Sequence, residues 1–343
     1  MTGIRQIYRL RHLLTQKKGE GILNNIAAAT RSYTIRSSAG RKLGRRILRH
    51  WQIYIFLLLP VAYLLLFHYY PMTGVQLAFK VFDYKKGIWG SPWIGFDNFV
   101  KFFHSHMFRR VVLNTISISF YSIFAGFPIP ILFALLLNSF RHERIKRAIQ
   151  TITYMPHFIS VVVLVGLLFQ VLNSRSGLYG SLVNTITGTY PKDILGKASG
   201  FIHLFVWSGI WQQFGWGSII YLAALSSVSP ELHEAATIDG ASRFQRVIHI
   251  DIPSILPTAV IMLILRTGSI MTIGYEKVLL MQNTLNLAKS EVISTYVYKV
   301  GLTASIPDYP YATAIGLFNS VINLILISTV NAIAKRAGDT SLW

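Results

Sequence analysis

The residues of this chain that could do chemistry are suited to binding rather than to making or breaking bonds. Its 343 residues include no cysteine, which removes disulfides, thiolate nucleophiles and cysteine-ligated zinc. The ten histidines form no H-x-x-x-H or H-E-x-x-H pair, and there is no G-x-x-x-x-G-K-[ST] phosphate loop. The long apolar runs hold no Asp or Glu, so they offer no paired carboxylates for acid–base chemistry. They do hold one basic residue, Arg266, and the aromatic and amide side chains Trp211, Gln212, Trp216, Asn319 and Asn323. Aromatic faces suit sugar rings, while amides and a guanidinium give fixed donors to hydroxyl or carboxylate oxygens. Each also has a plainer reading, since Trp anchors span ends and Asn bridges membrane helices. Arg266 is expected to face a cavity or a partner, because a charge inside a bilayer is costly. Helix-end carbonyls, an acid on another subunit or a substrate carboxylate could meet it there.

The elements that must position these side chains are membrane helices. Hydrophobic residues make up 52% of the chain and charged ones 13%, where a soluble domain carries about a quarter. With a mean hydropathy of +0.46, the chain reads as an all-α integral membrane protein. Six spans are expected, at 51–70, 111–140, 149–172, 201–225, 259–275 and 311–334. Trp51 and Tyr69-Tyr70 bracket the first as interfacial aromatics, and Gly126, Pro128 and Pro130 interrupt the second. Between the first two spans, 71–108 is broken by Gly and Pro and rich in Phe and Trp. It reads either as a packed loop or as a docking surface. His157 is placed near a surface.

The net charge of +20 is unevenly placed. Residues 1–50 hold twelve Lys or Arg against one acid, Glu20. This arm reads first as a cytoplasmic tail, its Arg41, Lys42, Arg45, Arg46 and Arg49 resting on anionic lipid heads. A transit-like segment and a nucleic-acid-binding arm are the other readings, the latter lacking interleaved aromatics. Six spans put both termini on one side, and that side's segments carry twenty Lys or Arg against ten opposite. Positive-inside placement makes the termini, and the polar island over 229–257, cytoplasmic.

That island reads S-P-E-L-H-E-A-A-T-I-D-G-A-S-R-F-Q-R-V-I-H-I-D-I-P-S-I-L-P. Ser229 can cap a short helix with Pro230 at its first position and Glu231 beside the positive dipole end. Asp239-Gly240 ends it, since Gly enters the left-handed region without penalty. A second helix restarts at Ser242 with Gln245 completing a capping box. Pro253 and Pro257 then mark entry to the next apolar run. The spacing predicts a rigid helix–turn–helix knob.

E-A-A, then D-G-A, then an apolar spacer and two prolines resembles the EAA loop of ABC importer permeases, with Ile252-Pro253 where that family usually has Leu-Pro. The resemblance extends over roughly 50–343. G-Y-E-K-V-L-L-M-Q-N from Gly274, T-Y-V-Y-K-V-G-L from Thr295, Y-A-T-A-I-G-L-F-N-S from Tyr311, the ending T-S-L-W and Asn114-Thr115 are similar to the polysaccharide-type, maltose-permease-like carbohydrate branch. Ser290-Glu291 departs from it where an Asp is expected.

The resemblance implies a type I ABC importer permease: a basic tail over 1–50 and a six-helix domain over 51–343, with a cytoplasmic coupling loop at 227–257. It implies that Glu234, Ala235, Ala236, Asp239, Gly240 and Ala241 dock a cytoplasmic ATPase. Implied partners are a second homologous permease, two ATPase subunits and an external solute-binding protein delivering oligosaccharide. All would sit at a bacterial inner membrane, in contact with its lipid and with no nucleic acid. No cofactor is expected on this chain, with ATP and Mg held by the ATPase. Arg266 raises acidic oligosaccharides as cargo, as from alginate or pectin. The competing readings are an ATPase-docking sensor or scaffold without transport, and a membrane-embedded enzyme.

Overall fold

The computed structural model describes residues 50–140 and 142–338. The basic arm over 1–49, with its expected lipid contacts, lies outside the described residues, as do Arg141 and the ending T-S-L-W. A backbone in lipid must satisfy its own donors, which favours helix. The described residues are mostly helical, with one isolated bridge, Lys80 to Trp93, and no strand. They fall into two compact units that divide between Thr73 and Gly74.

In the first unit, α1 (Trp51–Leu64) accommodates Pro60 and runs through a π turn at Leu65–Tyr69 into Tyr70–Met72. The second unit opens with short pieces turned by Gly87 and Gly95, at φ +63° and +65°, and ending in α2 (Asp97–His104). Phe79 packs edge-on against Phe96 at 5.4 Å, and the buried Lys80 ammonium donates to Gln76 Oε1 and to the carbonyls of Ile88 and Trp89. This segment is therefore a packed loop that leaves Trp89 and Trp93 exposed.

Ser105 caps α3 (His106–Gly126), which continues past Phe127 into α4 (Pro128–Asn138) as one long apolar helix. The expected interruption by the prolines is thus absorbed within that helix. Asn114 ties α3 to the far chain by donating to the carbonyls of Ala288 and Glu291 at 3.1 and 2.9 Å.

The expected third span is not straight. α5 (Glu143–Tyr154) and the 3-10 turn Met155–Phe158 meet α6 (Val161–Leu172) at a 100° bend. Pro156 supplies no amide to continue α5, and Ser160, extended at ψ 151°, restarts the helix by capping Val163. The expected fourth span is two helices, α7 (Ala198–Gly217) and α8 (Ile219–Ser226), meeting at Ser218. α7 lies close on α5 because Gly215 has no side chain: a Cβ there would come within 2.2 Å of the Thr153 carbonyl oxygen.

After the short helix α9 (Pro230–Ile238), a turn at Arg243–Arg246 and a π turn at Val247–Asp251 lead into α10 (Ile252–Gly268). The fifth span is therefore displaced from its expected position. It runs continuously over Arg243–Gly268, with Pro253 and Pro257 inside it, and stops seven residues before Tyr275. It stops where Gly268 presses on Ile327, and the Asn323 amide oxygen captures the Met271 N–H at 3.0 Å. The chain then forms α11 (Tyr275–Met281), α12 (Ile293–Tyr298) and α13 (Tyr309–Gly338).

Among the described residues, four helices are long and apolar enough to cross a membrane, or five if the bent pair is one span. α7 and α8 fall short because Ser208, Gln212, Gln213 and the break at Ser218 dilute their apolar run.

Candidate functional site

The knob forms as its caps dictate. Ser229 Oγ accepts from the Glu231 N–H at 3.3 Å, with Pro230 in the first position of α9. At the other end Gly240 stands at φ +80°. Its N–H reaches the Thr237 carbonyl at 3.1 Å, and the Ala241 N–H reaches that of Ala236 at 2.8 Å, a Schellman pair that satisfies the last carbonyls. The capping box closes reciprocally, Ser242 N–H to Gln245 Oε1 at 2.7 Å and Gln245 N–H to Ser242 Oγ at 3.3 Å. Leu232, Glu234, Ala235, Ile238, Asp239 and Phe244 are exposed, a mixed apolar and acidic surface.

Two contacts that the sequence reading missed fasten α9 to the fifth span. Arg246 donates to Thr237 Oγ1 at 2.6 Å, and His233 Nε2 lies 3.4 Å from the buried Asp251 carboxylate. The i, i+9 and i, i+18 separations carry no periodic signal, so only the fold-back at Gly240 brings them together. His233, Arg246 and Asp251 line a cleft of about 540 Å³ with Asn138, Ser139 and Glu234.

A second cavity, of about 360 Å³, lies among α3, α4, α7, α10 and α11. Arg266 lines it from the last turn of α10, beside Gly126 and Gly217 and 5.9 Å from the Phe127 ring. Gln212 and Gln213 reach it from α7 and Lys277 from α11, and no Asp or Glu lines it. Among the described residues Arg266 has no acidic partner, and its guanidinium donates to no carbonyl. Lys277 was not singled out by sequence, because it looks like an ordinary loop cation. Its ammonium donates to the Phe205 carbonyl at 2.9 Å, and burial pushes its pKa down to about 8.

The other expected path residues are dispersed. Gln212 is buried and donates to the Ile159 carbonyl at 2.8 Å, satisfying the backbone at the 100° bend while still lining the cavity. Trp216 stacks flat on His157 at 4.3 Å, and His157 Nδ1 is 2.9 Å from Gln213 Oε1. Trp211 borders a separate apolar groove with Trp207, Leu164 and Leu168. Asn323 bridges the end of α10 to α13, and Asn319 has a buried Oδ1 without a hydrogen-bond partner. Neither asparagine lines the Arg266 cavity.

Known proteins resemble the chain over most of its length. Residues 126–339 match the family described as binding-protein-dependent transport system inner membrane component. Protein LplB of Bacillus subtilis (strain 168) is 41% identical, over 85% of this chain and 91% of its own. The polygalacturonan/rhamnogalacturonan transport system permease protein YteP of the same organism is 35% identical, over 92% and 98%. Among solved structures, a chain of a bacterial ABC transporter involved in the import of the acidic polysaccharide alginate superposes with a TM-score of 0.79 at 37% identity. That match covers 87% of this chain and 99% of the other.

Proposed function

The chain belongs to the binding-protein-dependent transport system inner membrane components, and from that premise we propose an acidic oligosaccharide as its cargo. It is a non-catalytic permease subunit of a sugar or polysaccharide ABC importer. Such a subunit works with a second permease, an ATPase and a solute-binding protein in the bacterial inner membrane. The second permease is a homologue rather than a copy, and ATP and Mg belong to the ATPase. In this reading the chain crosses the membrane six times, counting the bent pair and the broken α7–α8 each as one, with both termini and the knob on the cytoplasmic side. The excess of Lys and Arg in those segments supports that orientation.

The observation that carries the acidic cargo is Arg266, a cation lining a cavity that no carboxylate lines. A guanidinium offers a carboxylate two parallel hydrogen bonds. That two relatives are named for polygalacturonan/rhamnogalacturonan and alginate transport supports the same chemistry. The test is uptake of labelled oligogalacturonate and of a neutral oligosaccharide of matched length by the reconstituted complete transporter. The acidic oligomer is expected to be accumulated preferentially on ATP addition. Equal uptake of both would remove the acidic cargo, and uptake of neither would leave a docking scaffold.

The knob is the ATPase contact in this reading. Glu234, exposed at its acidic edge, meets a basic group of the ATPase. Glu234→Lys is expected to reduce ATPase recovery in co-purification, more at low salt than at high, because the repulsion it introduces is screened. Equal recovery across salt concentrations would remove Glu234 from the interface.

A further inference from the structure

We propose that Lys277 is a specificity-determining residue of the transport path, a second cation that takes a cargo carboxylate in the cavity lined by Arg266. The proposal rests on the acidic-cargo reading above and extends it to a residue on a different helix.

Lys277 is 8% exposed and has no acidic partner among the described residues. Burying an ammonium without a counter-ion is unfavourable, and lysines at such depth are almost always paired. One of its three hydrogens is used by the Phe205 carbonyl, and the Phe205 ring lies 4.8 Å from the nitrogen. Two donors remain. Space for them is kept open by Gly209, where a Cβ would stand 3.3 Å from the ammonium nitrogen. Arg266, Gln212 and Gln213 line the same cavity. A uronate chain carries one carboxylate per sugar, so two cations on one path can engage it where a neutral oligosaccharide gains nothing. The plainer role, a staple joining α11 to α7 through Phe205, uses only one of the three hydrogens.

The charge on Lys277 is also conditional. Its pKa of about 8 means that the ammonium is present at neutral pH and lost as pH rises through that value. The ionisable groups near it are carried by α7, α12 and its own helix. α6 presents no ionisable side chain, and the His203 ring on α7 is 3.1 Å from the Tyr121 hydroxyl. α12 presents Tyr296 and Tyr298, Glu276 on its own helix is exposed, and Arg266 lines the same cavity.

The experiment uses the complete transporter in proteoliposomes with labelled oligogalacturonate and a neutral oligosaccharide of matched length. For Lys277→Gln, acidic uptake is expected to fall about tenfold or more with the complex still assembled, because a charge-assisted contact is lost. Unmutated transporter should lose acidic uptake as pH rises through about 8. Lys277→Arg, which keeps its charge, should flatten that decline. Gly209→Ala, which crowds the ammonium without removing it, should reduce acidic uptake less than Lys277→Gln does. Undiminished acidic uptake by Lys277→Gln overturns the proposal while leaving the acidic cargo standing. Equal uptake of both cargoes by the unmutated protein overturns both. Should Lys277→Gln fail to assemble, Gly209→Ala decides: acidic uptake unchanged when the ammonium is crowded reduces Lys277 to a staple.

Discussion

Gly240→Val is expected to leave the complex assembled in the membrane while its ATP hydrolysis no longer rises on addition of loaded binding protein. The glycine stands at φ +80°, where a β-branched residue is strained by roughly 1–2 kcal/mol. Nothing lies within 4 Å of the position a Cβ would occupy, so the penalty is one of backbone and not of collision. Relief of that strain moves the turn, and the Schellman hydrogen bonds from Gly240 and Ala241 go with it. The direction of α9 then changes relative to Arg246 and Asp251, which fasten it to the fifth span through Thr237 and His233. A motion of the ATPase would reach the apolar core through these contacts. Gly240→Asn is the control, since Asn tolerates the left-handed region, and it should retain most of the stimulation. Normal stimulation in Gly240→Val, measured as ATPase rate with and without loaded binding protein, would show that this turn transmits nothing.

The knob was legible in the sequence because every device that builds it is local. Ser229, Pro230, Gly240 and the Ser242–Gln245 box act over at most five residues, and each residue type has one physical reason to stand where it does. Arg266 was legible for a different reason: charge inside an apolar run is expensive enough to demand an explanation. The end of α10 was not legible. Apolar residues continue past it, and what stops the helix is contact with Ile327 and Asn323, more than fifty residues away. The bend at Ile159 is similar: Pro156 signals a break, but the Gln212 amide that satisfies the bent backbone comes from another helix. Trp211 and Gln212 show the limit of grouping by proximity in sequence. Neighbours on a helix point about 100° apart, and one borders the apolar groove beside Trp207 while the other lines the Arg266 cavity. Lys277 was missed because its burial depends on Phe205 and on the absence of a side chain at Gly209, neither visible from its own neighbourhood.

Arg266→Gln is expected to abolish the preference for acidic cargo. Placing an arginine at membrane depth costs about 2.5–3.5 kcal/mol on insertion scales, and that cost needs an offsetting partner. Of the three partners open to it, helix-end carbonyls take no hydrogen bond from its guanidinium among the described residues, and no acid of this chain stands beside it. A cargo carboxylate and an acid on the second permease remain, and the two make opposite predictions. Removing a cargo contact leaves the subunits together and lowers acidic uptake by about tenfold to a hundredfold, the worth of a charged hydrogen-bonded contact of roughly 1.5–3 kcal/mol. Neutral oligosaccharide, which never used the charge, is carried as before. Removing a contact to the second permease instead leaves that subunit's acid buried and unpaired, and the pair separates during purification. Arg266→Lys divides the cases further. It keeps the charge but loses the bidentate fork, so acidic uptake should recover only in part. The measurements are acidic and neutral uptake in proteoliposomes beside recovery of both permeases in mild detergent. Loss of the second permease in Arg266→Gln would make the residue structural and take from the acidic cargo the observation that carries it.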